Sequence, residues 1–130
     1  SAGRDRLDLF VAEWEASPQA WSEEALRDLD AGASHVILEG RESGTCGMYD
    51  ASGKLKPGIV DAVLETSPLA SVIFEAPQKK QQVHFIEKYG DEVNLGNIAL
   101  EDALSLETLR LGLRGDTARQ YVMGASNATA

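Results

Sequence analysis

Cysteine is nearly absent: Cys46 is the only one in 130 residues, so no intrachain disulfide can form, and a reducing compartment is expected. No apolar run approaches the roughly 20 residues of a membrane-spanning helix. The start lacks the charged, apolar, then small-residue order of a secretory leader. The expected location is therefore the cytoplasm or another reducing soluble compartment, including an organelle reached by a leader since removed. Cationic charge is also scarce, with 12 Lys and Arg against 21 Asp and Glu and a net charge of −9. That balance excludes general binding to nucleic acid or to anionic membranes, both of which need a cationic face. It leaves room for a local cationic pocket that takes a small anion.

What is present is ordinary globular material, 43% hydrophobic and 25% charged, in a length that suits one domain. Residues 1–20 mix charge, Gly3 and Pro18 with two separated apolar pieces and read as a loop with a short helix. From Trp21, apolar residues at 21, 25, 26 and 29 share one helical face, Ser22-Glu23-Glu24 resembles a capped acidic first turn, and Gly32 ends the helix. Val36–Leu38 is a short continuous apolar run, the pattern of a strand buried on both faces. A glycine-rich loop follows, with a small hairpin expected near Asp50-Ala51-Ser52-Gly53. Pro57 suits the first turn of a helix whose stripe is Ile59, Val60, Val63 and Leu64, and Ser67-Pro68 stops it. The second strand is Val72–Phe74. A helix over Lys79–Tyr89, with Val83, Ile86 and Tyr89 inward, leads to a third strand at Val93–Leu95. A last helix over Glu101–Leu113 carries five leucines, and 118–130 reads as a flexible tail. Helix and strand alternate throughout, which predicts an α/β fold with parallel strands.

Two strands end alike, Val36-Ile37-Leu38-Glu39-Gly40 and Val72-Ile73-Phe74-Glu75-Ala76. In parallel α/β folds the strand C-termini face the ligand, so Glu39 and Glu75 would share a rim and could hold a divalent cation such as Mg2+. Either glutamate alone equally suits a salt bridge with Arg41 or Lys79; the repetition favours a site. Gly40-Arg41-Glu42-Ser43-Gly44 combines open backbone with an arginine able to clamp a carboxylate or phosphate. Pro77-Gln78-Lys79-Lys80-Gln81-Gln82 places amides and cations at a helix N-terminus, which suits either an anion or plain solvation. Asn94-Leu95-Gly96-Asn97-Ile98 is another glycine-containing turn before a helix. Arg110, Arg114 and Asp116 cluster near the end of the last helix; they could reach a ligand, but the arginines are better read as complementing the helix dipole. His35 and His84 lack a third partner for zinc, and Cys46 reads as a passive loop thiol.

Five ordered segments resemble the carboxyl-terminal portion of the phosphosulfolactate synthase family: Asp28–Ala33, Leu38–Gly44, Ile73–Lys79, Val93–Ile98 and Leu106–Thr117. The resemblance implies about three βα units, strands six to eight of a TIM-type (β/α)8 barrel that typically takes about 250 residues. Residues 1–20 would then follow an absent fifth strand, and 21–117 would form the βα units. It further implies a lyase that adds sulfite to phosphoenolpyruvate with Mg2+, an early step of coenzyme M synthesis. Glu39 and Glu75 would be the catalytic and metal-binding carboxylates, and Arg41, Ser43, Gln78, Lys79, Asn97 and Arg114 the substrate contacts. A family lysine near the fifth strand has no counterpart in Ser1-Ala2-Gly3-Arg4. The implied partners are a complementary barrel half, further copies of the chain or other subunits. The alternative within this family is a noncatalytic relative serving in stress tolerance or assembly.

Overall fold

The computed structural model describes residues 17–40 and 47–118. Helices α1 (Pro18–Asp30), α2 (Ile59–Thr66), α3 (Lys79–Tyr89) and α4 (Ala103–Arg110) alternate with strands β1 (Val36–Leu38), β2 (Val72–Glu75) and β3 (Asn94–Gly96). The strands lie in one sheet in the order β1-β2-β3, and β1 runs parallel to β2. The fold is thus α/β, as the alternation predicts. The chain divides into two compact units between Phe74 and Glu75.

In the first unit, α1 begins one turn before the Trp21 expected from apolar spacing. Ser17 caps it, its hydroxyl accepting from the Ala20 N–H at 3.2 Å, and Pro18 occupies the first turn. That turn is fixed by capping and the proline φ, to which apolar periodicity is blind. Gly32, at φ +108°, ends the helix in the left-handed region. Its buried positions are the small Ser22 and Ala25. The Ser22 hydroxyl is hydrogen-bonded at 2.9 Å to that of Thr66, at the end of α2. Helix α2 buries Ile59, Val60 and Val63 as expected. It starts at Ile59 because Gly58, at φ +79°, turns the chain into it, leaving Pro57 outside the first turn.

Strands β1 and β2 pair Val36 with Val72, Ile37 with Ile73 and Leu38 with Phe74. Val36, Leu38, Val72 and Phe74 are buried, whereas Ile37 is 57% exposed. The expectation that β1 is buried on both faces therefore fails. An apolar run shows that both faces suit burial, not that both are covered. The expected hairpin is present, with Tyr49 bridged to Leu55 and Asp50 N–H donating to Lys54 O at 2.8 Å. Asp50 organises its tip, accepting from the Ser52 hydroxyl and from the N–H groups of Ser52 and Lys54. These bonds, the Ser52 hydroxyl foremost, hold its carboxyl below the ordinary aspartate range. Met48 N–H then donates to Glu39 O at 2.9 Å, tying the hairpin to the end of β1.

In the second unit α3 buries Gln81, Gln82, Phe85 and Ile86. Of the expected stripe only Ile86 is fully buried; Val83 and Tyr89 are half-buried. Strand β3 sits one residue later than expected, at Asn94–Gly96, with Val93 buried just before it. Arg110 Nη1 donates to the carbonyls of Asp91 and Val93, fastening α4 to the turn that precedes β3. Helix α4 is shorter than expected, preceded by a 3-10 turn at Leu100–Asp102. Only Leu106 and Leu109 of its leucines are buried; Leu104 is 78% and Leu113 71% exposed.

Gly58→Ala should lower stability in urea unfolding by about 1–2 kcal/mol, because an L side chain is strained at positive φ. Its Cβ would also stand 3.3 Å from Pro18 Cγ. Gly115→Ala, which meets nothing within 4 Å, should stay within about 0.5 kcal/mol of the parent.

Candidate functional site

The pairing of Leu38 with Phe74 makes Glu39 and Glu75 the next residue on each of two adjacent parallel strands. Strand side chains alternate between faces, so Glu39 falls on the side of exposed Ile37 and Glu75 on that of half-buried Ile73. Both carboxylates are thus directed away from the face that Val36, Leu38, Val72 and Phe74 pack into the core. Glu39 is exposed and Glu75 half-buried. Among the described residues, no three His, Cys, Asp or Glu side chains converge as a ready-made metal cluster.

The backbone just beyond Glu75 is held from two directions. Ala76 is fully buried; its N–H donates to Gly96 O at 3.0 Å and its carbonyl accepts from Gln82 Nε2 at 2.9 Å. Gln81, also buried, accepts from the Gln78 N–H through Oε1 at 2.9 Å, closing the first turn of α3. Gln78 is the N-cap residue of this helix and half-buried. Gln81 and Gln82, for which the sequence suggests an anion or plain solvation, instead secure the loop after β2. Their phase was a usable signal: 81, 82, 85 and 86 form one helical face, which Phe85 and Ile86 mark as inward.

Lys79, the first residue of α3, is 55% exposed, and its Nζ lies 2.8 Å from Asp116 Oδ2. That hydrogen bond first, and the lysine charge second, hold the Asp116 carboxyl below its ordinary range. The ion pair is therefore intact above the usual aspartate value of 3.8 and is lost as pH falls through the depressed one. Asn97 follows β3 at φ +53°, a left-handed turn that asparagine tolerates better than most residues, and it is exposed. Arg114 is engaged on α4, with Nε donating to Thr108 Oγ1 at 3.1 Å and Nη2 to Ser105 Oγ at 3.0 Å. The candidates Arg41 and Ser43, together with Arg4 and Cys46, lie outside the described residues.

Gln82→Leu should cost about 1–3 kcal/mol in thermal or urea unfolding, because it leaves the buried Ala76 carbonyl without its donor. Lys80→Ala, at an exposed position of the same turn, should stay within about 0.5 kcal/mol.

Residues 10–116 match the family model of (2R)-phospho-3-sulfolactate synthase, ComA. Among curated relatives, the phosphosulfolactate synthase of Methanocaldococcus jannaschii is 58% identical over 91 residues, 69% of this chain and 36% of that protein. The Bacillus subtilis phosphosulfolactate synthase is 49% identical over 102 residues, 78% of this chain and 40% of that protein. That of Methanothermobacter thermautotrophicus is 52% identical over 91 residues, 69% and 35% of the two chains. The chain thus spans between 35% and 40% of the length of these relatives. The alternating α/β elements, the paired acidic strand ends and a family match across most of the sequence lead to one conclusion: the chain belongs to the phosphosulfolactate synthase family.

Proposed function

We propose that this chain supplies strands six to eight of a (β/α)8 barrel that joins sulfite to phosphoenolpyruvate, giving phosphosulfolactate. The observation that carries the reading is the β1–β2 register, whose last pair, Leu38 and Phe74, is followed on each chain segment by a glutamate, in a chain 49–58% identical over 91–102 residues to three phosphosulfolactate synthases.

In the reaction the sulfite sulfur forms a bond to the terminal carbon of phosphoenolpyruvate. The double-bond electrons move toward the carboxylate, and a proton added to the phosphate-bearing carbon completes the product. The catalytic need is therefore to bind a triply charged region of substrate and to stabilise charge that grows on its carboxylate. Glu39 and Glu75 are hard oxygen donors, the chemistry Mg2+ takes, and this fits them as its ligands, directly or through water. When bound, Mg2+ supplies Lewis-acid stabilisation of the developing negative charge. Lys79 offers an exposed ammonium to the substrate's anionic groups, and Gln78, Asn97, Arg41 and Ser43 are the further polar contacts of the strand-end loops. Arg114 has a structural occupation on α4, so its part in binding is secondary. The proton donor is assigned to a residue beyond this set.

In the complete native protein, phosphoenolpyruvate consumption should depend on both sulfite and Mg2+, and Glu75→Gln should lower it by at least about a hundredfold. Consumption that ignores sulfite, or that Glu75→Gln leaves intact, would refute the reading.

The same reading supports partners that complete the barrel. Ile37 at 57%, Leu100 at 89% and Leu104 at 78% exposure are apolar side chains of a kind that burial elsewhere stabilises. The 130 residues alone should therefore be inactive and should associate at micromolar concentration; light scattering from a clean monomer would contradict this.

A further inference from the structure

Lys79 stands where a lysine is electrostatically awkward. It opens an eleven-residue helix, and the positive end of the helix dipole repels a cation there. A flexible lysine also loses rotamer entropy on being held in one direction. The Asp116 carboxylate at 2.8 Å offsets the first and limits the second.

Asp116 lies in a helical turn, residues 115–118, that follows α4. The Thr117 hydroxyl, 1% exposed, donates to Leu109 O on α4. The N–H groups of Thr117 and Ala118 both donate to Arg114 O, at 3.1 and 3.0 Å. The Arg114 side chain in turn bonds Thr108 and Ser105 on α4. Asp116 is thereby carried on a helical turn fixed against α4, while Lys79 remains 55% exposed and Asp116 46%. The plain alternative is a surface salt bridge that merely ties this helical turn to α3. Such exposed pairs contribute little to stability, so a measurable effect of Asp116 on substrate binding would separate the two readings.

We propose that Asp116 is a positioning residue for Lys79, orienting its ammonium toward the anionic substrate. The inference rests on the reading of Lys79 as a substrate contact. Asp116 touches no substrate itself; its removal frees the lysine and weakens binding.

The test is steady-state kinetics of the complete native protein with phosphoenolpyruvate, using Asp116→Asn, Asp116→Glu, Lys79→Met and the double variant Asp116→Asn with Lys79→Met. Asp116→Asn should raise KM for phosphoenolpyruvate about threefold to fivefold with kcat within about twofold. Its thermal midpoint should stay within about 1 °C of the parent. Asp116→Glu should restore much of the loss, and the double variant should be no worse than Lys79→Met alone, since the aspartate acts only through the lysine. If Lys79→Met raises KM while Asp116→Asn leaves it unchanged, the positioning role is overturned and the substrate role of Lys79 stands. If Lys79→Met leaves KM unchanged, the reading of Lys79 falls and the inference falls with it.

Discussion

The peptide at Ala76 is the point on which the second unit's candidate site depends. Its N–H is taken by Gly96 and its carbonyl by Gln82, both within 3.0 Å, in a position fully buried. A buried peptide with both groups satisfied has no cheap alternative conformation, because breaking either bond strands a polar group away from water. Glu75 lies immediately before this peptide and Gln78 two residues after it. The backbone from which the strand end presents its carboxylate is therefore held by backbone hydrogen bonding and one glutamine. The first unit uses a related device, with Met48 N–H bonded to the carbonyl of Glu39.

The two faces of the paired strands divide the labour. Val36, Leu38, Val72 and Phe74 bury one face and stabilise the fold through apolar area removed from water. Ile37 and Ile73, and beyond them Glu39 and Glu75, occupy the other by the alternation of strand side chains. A carboxylate on the packed face would carry a desolvation penalty of several kcal/mol unless paired. On the less covered face it avoids that penalty. The placement of the two carboxylates and the incompleteness of burial at Ile37 are thus two consequences of one geometry.

Much of this was legible from residue order. Alternating periodicities gave the elements, the Asp50–Gly53 turn residues gave the hairpin, and five ordered segments gave the family. What failed was everything that needs knowledge of who covers whom. The apolar run of β1 promised two buried faces, and the leucines from 104 to 113 promised a broad buried stripe, yet Ile37, Leu104 and Leu113 are exposed. Hydrophobic pattern records the suitability of a surface for burial, and coverage depends on elements outside the pattern. The start of α1 was missed because Ser17 and Pro18 act through capping, which apolar spacing does not register. Polarity suggests an anion or plain solvation for Gln81 and Gln82, although their phase with Phe85 and Ile86 points inward. The pairing of Asp116 with Lys79 is not legible in residue order, since the two lie thirty-seven positions apart.

The central claim is that Glu39 and Glu75 serve one metal-assisted site at the ends of neighbouring strands. Anomalous diffraction from crystals of the complete native protein, grown with Mn2+ in place of Mg2+ and with phosphoenolpyruvate, tests it most directly. The account predicts a metal peak whose shell, at about 2.1 Å or through one water, includes the carboxylates of Glu39 and Glu75. A metal peak coordinated elsewhere, with both glutamates turned away from it, would contradict the account.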